Sequence, residues 1–135
     1  MIIDTPWNTT SKLPKLRAAG VTTILRYYNH RNSPVLPEKC LTPSEARAIN
    51  DAGLRIGVTF EQRQDQVSDF SEQAGINAAN RAIELADDIG QPVSSGIYFS
   101  VDCDLFHSSE LVAVAEFFQG VQETFATAAS GTPFL

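Results

Sequence analysis

Three carboxylates stand where short apolar runs end. Ile2-Ile3 closes on Asp4. In the run 56–61, Ile56, Val58 and Phe60 share one side, while Gly57, Thr59 and Glu61 share the other, as side chains do on a strand. In the run 95–104, Ile97, Phe99 and Val101 alternate with Tyr98, Ser100 and Asp102, and Asp104 follows in the loop. Alternating α/β chains place their chemistry at the C-terminal ends of strands. Carboxyl groups delivered there can divide acid–base work: one protonates a leaving group, and another attacks or activates water. The Asp102-x-Asp104 pair could instead hold Mg²⁺ or Ca²⁺ through oxygen. A lone Asp-x-Asp is a weak pattern, and neither a metal nor a cofactor is expected.

The elements that must position these acids read as strand and helix in strict alternation. Strands are expected at 2–4, 23–28, 56–61 and 95–102. Helices are expected at 11–19, from Pro43 to the stop at Gly53, at 71–89, and from a cap at Ser108 or Ser109. Thr42, Pro43 and Glu45 have the spacing of a capping box with proline at the first helical position. Ala46, Ile49 and Ala52 make that helix's inner stripe. Ile76, Ala79, Ile83 and Ala86 recur at helical spacing in the third helix; Leu111, Ala115, Phe118, Val121 and Phe125 do so in the fourth. Phe117 and Phe118 are read as helix packing, 62–65 as a solvated loop, and the tail 131–135 as no strand. Gly20, Gly53 and Gly90 each stand between a helix and the next strand.

This is a (βα)₄ pattern, with parallel strands and right-handed crossovers. The strands carry one apolar and one polar face. An open doubly wound sheet buries both faces, so the pattern suits a barrel, with polar residues toward the interior. A full barrel needs eight such units and about 250 residues. The fold class expected is therefore α/β, resembling the N-terminal half of a TIM-like barrel. Exposed edges on strands 1 and 4 would invite a homodimer. An open flavodoxin-like sheet is the weaker alternative, because Asp4-Thr5-Pro6-Trp7 replaces a glycine-rich phosphate loop.

Composition narrows the partners. The chain has 135 residues, 43% hydrophobic and 19% charged, which is ordinary for one globular domain. A net charge of −6 argues against nucleic acid and anionic membrane surfaces. No run reaches the roughly 18 apolar residues of a membrane span, and no signal peptide precedes the first strand. Cys40 and Cys103 lie in loops. Free thiols are the default and a disulfide the alternative; a zinc site with His30 and His107 matches no usual spacing.

Asp4, Arg26-Tyr27-Tyr28, Leu41-Thr42-Pro43-Ser44-Glu45-Ala46, Asp51-Ala52-Gly53-Leu54 and the segment from Ile97 to Asp104 occur in an order that resembles the bacterial glycoside-hydrolase-like domain of unknown function. That family is similar in turn to the family 25, lysozyme-type glycoside hydrolases. The resemblance covers nearly the whole chain, and implies one glycoside-hydrolase-like domain over 1–135, truncated after its fourth βα unit. It implies a polysaccharide or peptidoglycan substrate and a secreted or cell-wall setting. In the muramidases, strand 1 carries an Asp and strand 4 an Asp-x-Glu. Asp4 matches the first and Asp102 the acid of the second, while Ser100 stands where that motif's first Asp would be.

Glycoside hydrolysis needs two carboxyl groups. Asp102 as acid, with Asp4 or Glu61 as nucleophile or base, would satisfy it. Arg26, Tyr28, Trp7 and Asp104 are the expected substrate-binding residues, with the aromatic rings available to stack on sugars. Arg26 shares a face with Ile24 and Tyr28 and is expected to point into the barrel, where it could instead pair with Asp4 and Asp102. The alternative function is a hydrolase-like module that binds glycans without cutting them.

Overall fold

The computed structural model describes residues 1–130; the tail 131–135, expected not to form a strand, lies outside the described residues. Strands β1 (Ile2–Asp4), β2 (Thr23–Tyr28), β3 (Arg55–Phe60) and β4 (Tyr98–Phe99) form one parallel sheet. Helices α1 (Leu13–Ala18), α2 (Pro43–Asp51), α3 (Glu72–Ile89) and α4 (Ser108–Ala129) alternate with them. The order is β1-β2-β3-β4, with no reversal. A flavodoxin-like sheet requires a reversal, so that alternative is excluded. Sequential parallel order is that of a partial TIM-like unit. The chain divides into two compact units, one of Met1–Gln62 with Glu84–Phe99, the other of Arg63–Ile83 with the segment from Ser100 onward.

The first unit holds the sheet. Register pairs Ile24 with Ile56, Arg26 with Val58, and Tyr28 with Phe60, so these side chains share one face. Ile24, Arg26, Tyr28, Val58 and Phe60 are all buried there, as are Ala46 and Ile49 on the inner stripe of α2. The other face carries Asp4, Leu25, Tyr27, Gly57, Thr59 and Tyr98 in register. Thr42 caps α2 by accepting the Glu45 N–H at 3.2 Å, and Pro43 follows at the first helical position. The capping box is not closed, because the Glu45 carboxylate is turned into the core toward Arg26. A fully buried guanidinium outweighs one exposed backbone N–H as a partner. Gly20, Gly53 and Gly90 take φ of +84°, +74° and +74°, which lets each helix turn back toward the next strand.

Strand β4 is far shorter than its alternation suggests. Only Tyr98 and Phe99 pair, with Thr59 and Phe60. Phe99 stacks on Phe60 with ring centroids 5.5 Å apart. Asp102 therefore lies in the loop beyond β4, not on the strand.

In the second unit, the first turns of α3 meet α4 at two glycines. A Cβ on Gly75 would overlap the Phe117 carbonyl, and one on Gly120 would overlap the Glu72 carbonyl. The buried stripe of α4 is accordingly Phe117, Gly120, Val121 and Thr124. The expected stripe was rotated from this, and Leu111 is exposed. Small residues set the contact because they allow backbone to meet backbone. Phe70 packs edge-on against Phe117 at 5.4 Å. The cap of α4 is His107, one residue before the expected serine. Glu110 accepts the His107 N–H at 2.8 Å and the Phe106 N–H at 2.6 Å.

Candidate functional site

Parity decides what the strand ends present in the first unit. Asp4, at the end of β1, shares its face with Tyr27 of β2. The Tyr27 hydroxyl donates to Asp4 Oδ2 at 2.8 Å. Glu61 follows β3 and pairs with Lys39 Nζ at 2.6 Å. The same ammonium lies 4.8 Å from the centre of the Tyr27 ring, a cation–π distance. Asp4, Tyr27, Lys39 and Glu61 thus form one chain of contacts at the C-terminal ends of β1, β2 and β3. Burial, the bond to Asp4 and the negative charge of Asp4 and Glu61 push the Tyr27 phenol well above the usual tyrosine range. Trp7, in the loop after β1, is 49% exposed.

Tyr27 and Lys39 were missed in the sequence. Tyr27 was legible from parity, since it lies between the buried Arg26 and Tyr28 and must face the other way. Lys39 comes from the long 29–40 loop, where no periodicity could place it.

Arg26 does something other than bind substrate. Its side chain and that of Glu45 are both 0% exposed. Nε and one terminal nitrogen reach Glu45 Oε1 and Oε2, each at 2.9 Å. The remaining bonds go to the carbonyls of Thr5 at 2.8 Å, Lys39 at 3.0 Å and Glu38 at 2.7 Å. These five bonds match the five N–H donors of a guanidinium, so none is left for a ligand. Thr9 donates to Glu45 Oε1 through both its backbone N–H and its hydroxyl, at 2.8 and 2.9 Å. The expectation that Arg26 points inward, toward substrate or Asp4, is corrected: its parity directs it to the helix side, where α2 supplies Glu45. There it ties down the two loops that carry Trp7 and Lys39. Tyr28 is corrected for the same reason. It is fully buried, and its hydroxyl donates to Gln91 Oε1 at 2.9 Å. Burial also raises its phenol well above the usual range, the Cys40 thiol adding to this.

Asp102 and Asp104 belong to the second unit. With Asp65 and Glu110 they line an open polar depression of about 800 Å³. The Asp102 N–H donates to the Gln64 carbonyl at 2.9 Å. Gln64 is buried and has φ of +52°, a left-handed conformation that is strained for a residue with a side chain. Two backbone hydrogen bonds, from His107 and Phe106, lower the Glu110 carboxyl from its ordinary value. Cys103 sits in the same depression as a free thiol. Desolvation, then the negative charge of Glu110, Asp104, Asp69 and Asp102, raises it from its ordinary value. A thiol held protonated is a poor nucleophile. Cys40, in the first unit, is not in a disulfide either.

The chain has relatives. Its residues 14–132 match the model of the Rv2525c-like, glycoside hydrolase-like domain. It is 32% identical over 119 residues to the uncharacterized protein YbfG of Bacillus subtilis, covering 87% of this chain and 16% of YbfG. The fold superposes on the Tat-secreted protein Rv2525c of Mycobacterium tuberculosis. In its complex with HEPES the TM-score is 0.71 at 25% identity, over 83% of this chain and 57% of that one. In its complex with L-tartrate the TM-score is 0.72 at 26% identity, over 82% and 56%. The modular autolysin LytC of Streptococcus pneumoniae shares the fold at a TM-score of 0.60 and 14% identity, over 94% of this chain and 30% of LytC. This chain spans less than two thirds of each of these proteins. Over nearly all of its length, it belongs to the Rv2525c-like glycoside hydrolase-like domain family.

Proposed function

We propose that this domain binds and hydrolyses a glycan of the cell-wall polysaccharide or peptidoglycan class. The observation that carries the reading is the contact chain Asp4–Tyr27–Lys39–Glu61 at the ends of three successive parallel strands. Carboxylates, a phenol and an ammonium are groups that can hydrogen-bond sugar hydroxyls, and the exposed Trp7 ring offers a face for stacking. Asp4 and Glu61 are the proposed nucleophile or base candidates, Asp102 the proposed acid, and Asp104 a proposed binding residue. The strained Gln64 backbone that holds the Asp102 N–H supports a defined role for that loop. The family's glycoside hydrolase-like character supports the substrate class, and the Tat-secreted relative supports a setting outside the cytoplasm.

The test is release of reducing sugar from purified peptidoglycan and a panel of polysaccharides. Hydrolysis by the wild type that falls by about 10²-fold or more in Asp4→Asn or Asp102→Asn is expected. Folded wild type that neither binds nor cuts any of them overturns the reading. One observation favours binding without cleavage: Ser100 stands where the lysozyme-type pattern has a carboxylate. Calorimetric binding without product would select that reading. Self-association through the outer strands β1 and β4 completes the proposal, and a monodisperse monomer in sedimentation would remove it.

A further inference from the structure

The first unit holds a cavity of about 450 Å³, built partly on the buried helix-side face of the sheet. Leu41, Ala46, Ile56 and Val58 are among the residues that line it, and the first two and the last are almost fully buried. Ile89 and Pro92 contribute further apolar surface. Tyr28 lines it too, with its hydroxyl occupied by Gln91. The charge at this cavity runs against the rest of the molecule. The chain carries sixteen Asp and Glu and a net charge of −6, yet among the described residues no carboxylate lines the cavity. Two guanidiniums do, those of Arg47 on α2 and Arg55 at the start of β3. Neither takes part in an ion pair among the described residues.

We propose that this cavity is a binding site for a small amphipathic anion, a carboxylate with an apolar tail. The tail lies on Leu41, Ala46 and Val58, and Arg47 and Arg55 hold the carboxylate. Arginine suits this role because its planar fork matches a carboxylate, and a charge-assisted bond is about twice as strong as a neutral one. The volume falls within the range of small-ligand sites, roughly 300–1,000 Å³. The site is distinct from the strand-end carboxylates and does not depend on the glycan reading.

Octanoate is the probe, followed by titration calorimetry and by amide chemical shifts of Ile56, Val58 and Gln91. Saturable binding is expected, with 1-octanol binding at least about tenfold more weakly because it leaves the guanidiniums without a charged partner. The Arg47→Gln/Arg55→Gln double variant should weaken octanoate by about tenfold or more while its circular dichroism stays unchanged, since both side chains are exposed. A second variant, Gly96→Leu, puts a side chain where a Cβ meets no atom within 4 Å, beside the same cavity. It should reduce binding without loss of fold. No saturable binding to folded wild type, equal affinity for octanol, or undiminished affinity in the arginine double variant would each overturn the proposal.

Discussion

The Arg26–Glu45 pair makes the sharpest prediction about stability. Both side chains are wholly buried, and five donor bonds converge on one carboxylate and three loop carbonyls. Arg26→Met keeps the apolar stem and removes every one of those donors. Among the described residues, Glu45 is left as a buried carboxylate held only by Thr9. Removing one partner of a buried ion pair costs about 3–5 kcal/mol. With a urea slope of about 2 kcal/mol/M, a 4 kcal/mol loss moves the unfolding midpoint down by about 2 M. That is a large share of the 5–15 kcal/mol available to a typical domain. Glu45→Met should cost a similar amount, since it strands the guanidinium. The double variant Arg26→Met/Glu45→Met removes both charges, so it should be more stable than the sum of the two single losses predicts, by about 2 kcal/mol or more. Urea melts of all four proteins, followed by circular dichroism, close the cycle. Singles within about 1 kcal/mol of wild type, or a double equal to their sum, would refute the reasoning.

Three further outcomes are expected. The Tyr27 and Tyr28 phenols have folded values above the ordinary tyrosine value of about 10, so what they contribute to stability is complete below pH 10 and is lost as pH rises through the folded values. Absorbance at 295 nm should show late-titrating phenols, one of which disappears in Tyr27→Phe; a titration finished near pH 10 would contradict this. Gly75→Ala and Gly120→Ala should each destabilise by about 1–3 kcal/mol in urea melts, because each Cβ meets a backbone carbonyl that cannot swing aside, whereas Gly96→Ala should change stability by no more than about 0.5 kcal/mol. Glu110 has a lowered folded value, so its contribution is present above the ordinary carboxylate value and is lost as pH falls through the lowered one. Glu110→Gln should therefore flatten the acid limb of stability against pH, and an unchanged limb would count against the cap.

Much of the architecture could be read from local pattern. Thr42-Pro43 at the start of α2, the glycines after three helices, and the alternation along β2 and β3 are short-range signals, and the structure keeps them. The strand-end placement of Asp4 and Glu61 follows from the same alternation. What alternation cannot supply is the face that turns toward the helices. Arg26 illustrates the difficulty: a charged residue among apolar ones reads as belonging to a polar interior. Only the packing of α2 over β2 brings Glu45 to it and makes a buried charge affordable. Strand length failed at β4 for a related reason, since the pattern runs on through Val101 while pairing with β3 stops at Phe99.

The sequence by itself determined the α/β class, the order of elements and the acids that close β1 and β3, because capping, periodicity and glycine conformation act within a few residues. Tertiary structure alone decided that Tyr27 and Lys39 join Asp4 and Glu61, that Arg26 is a clamp on two loops, and that Gly75 and Gly120 set the contact between α3 and α4. Those outcomes depend on residues far apart in the chain, whose partners are chosen by burial and by the need to satisfy every buried charge.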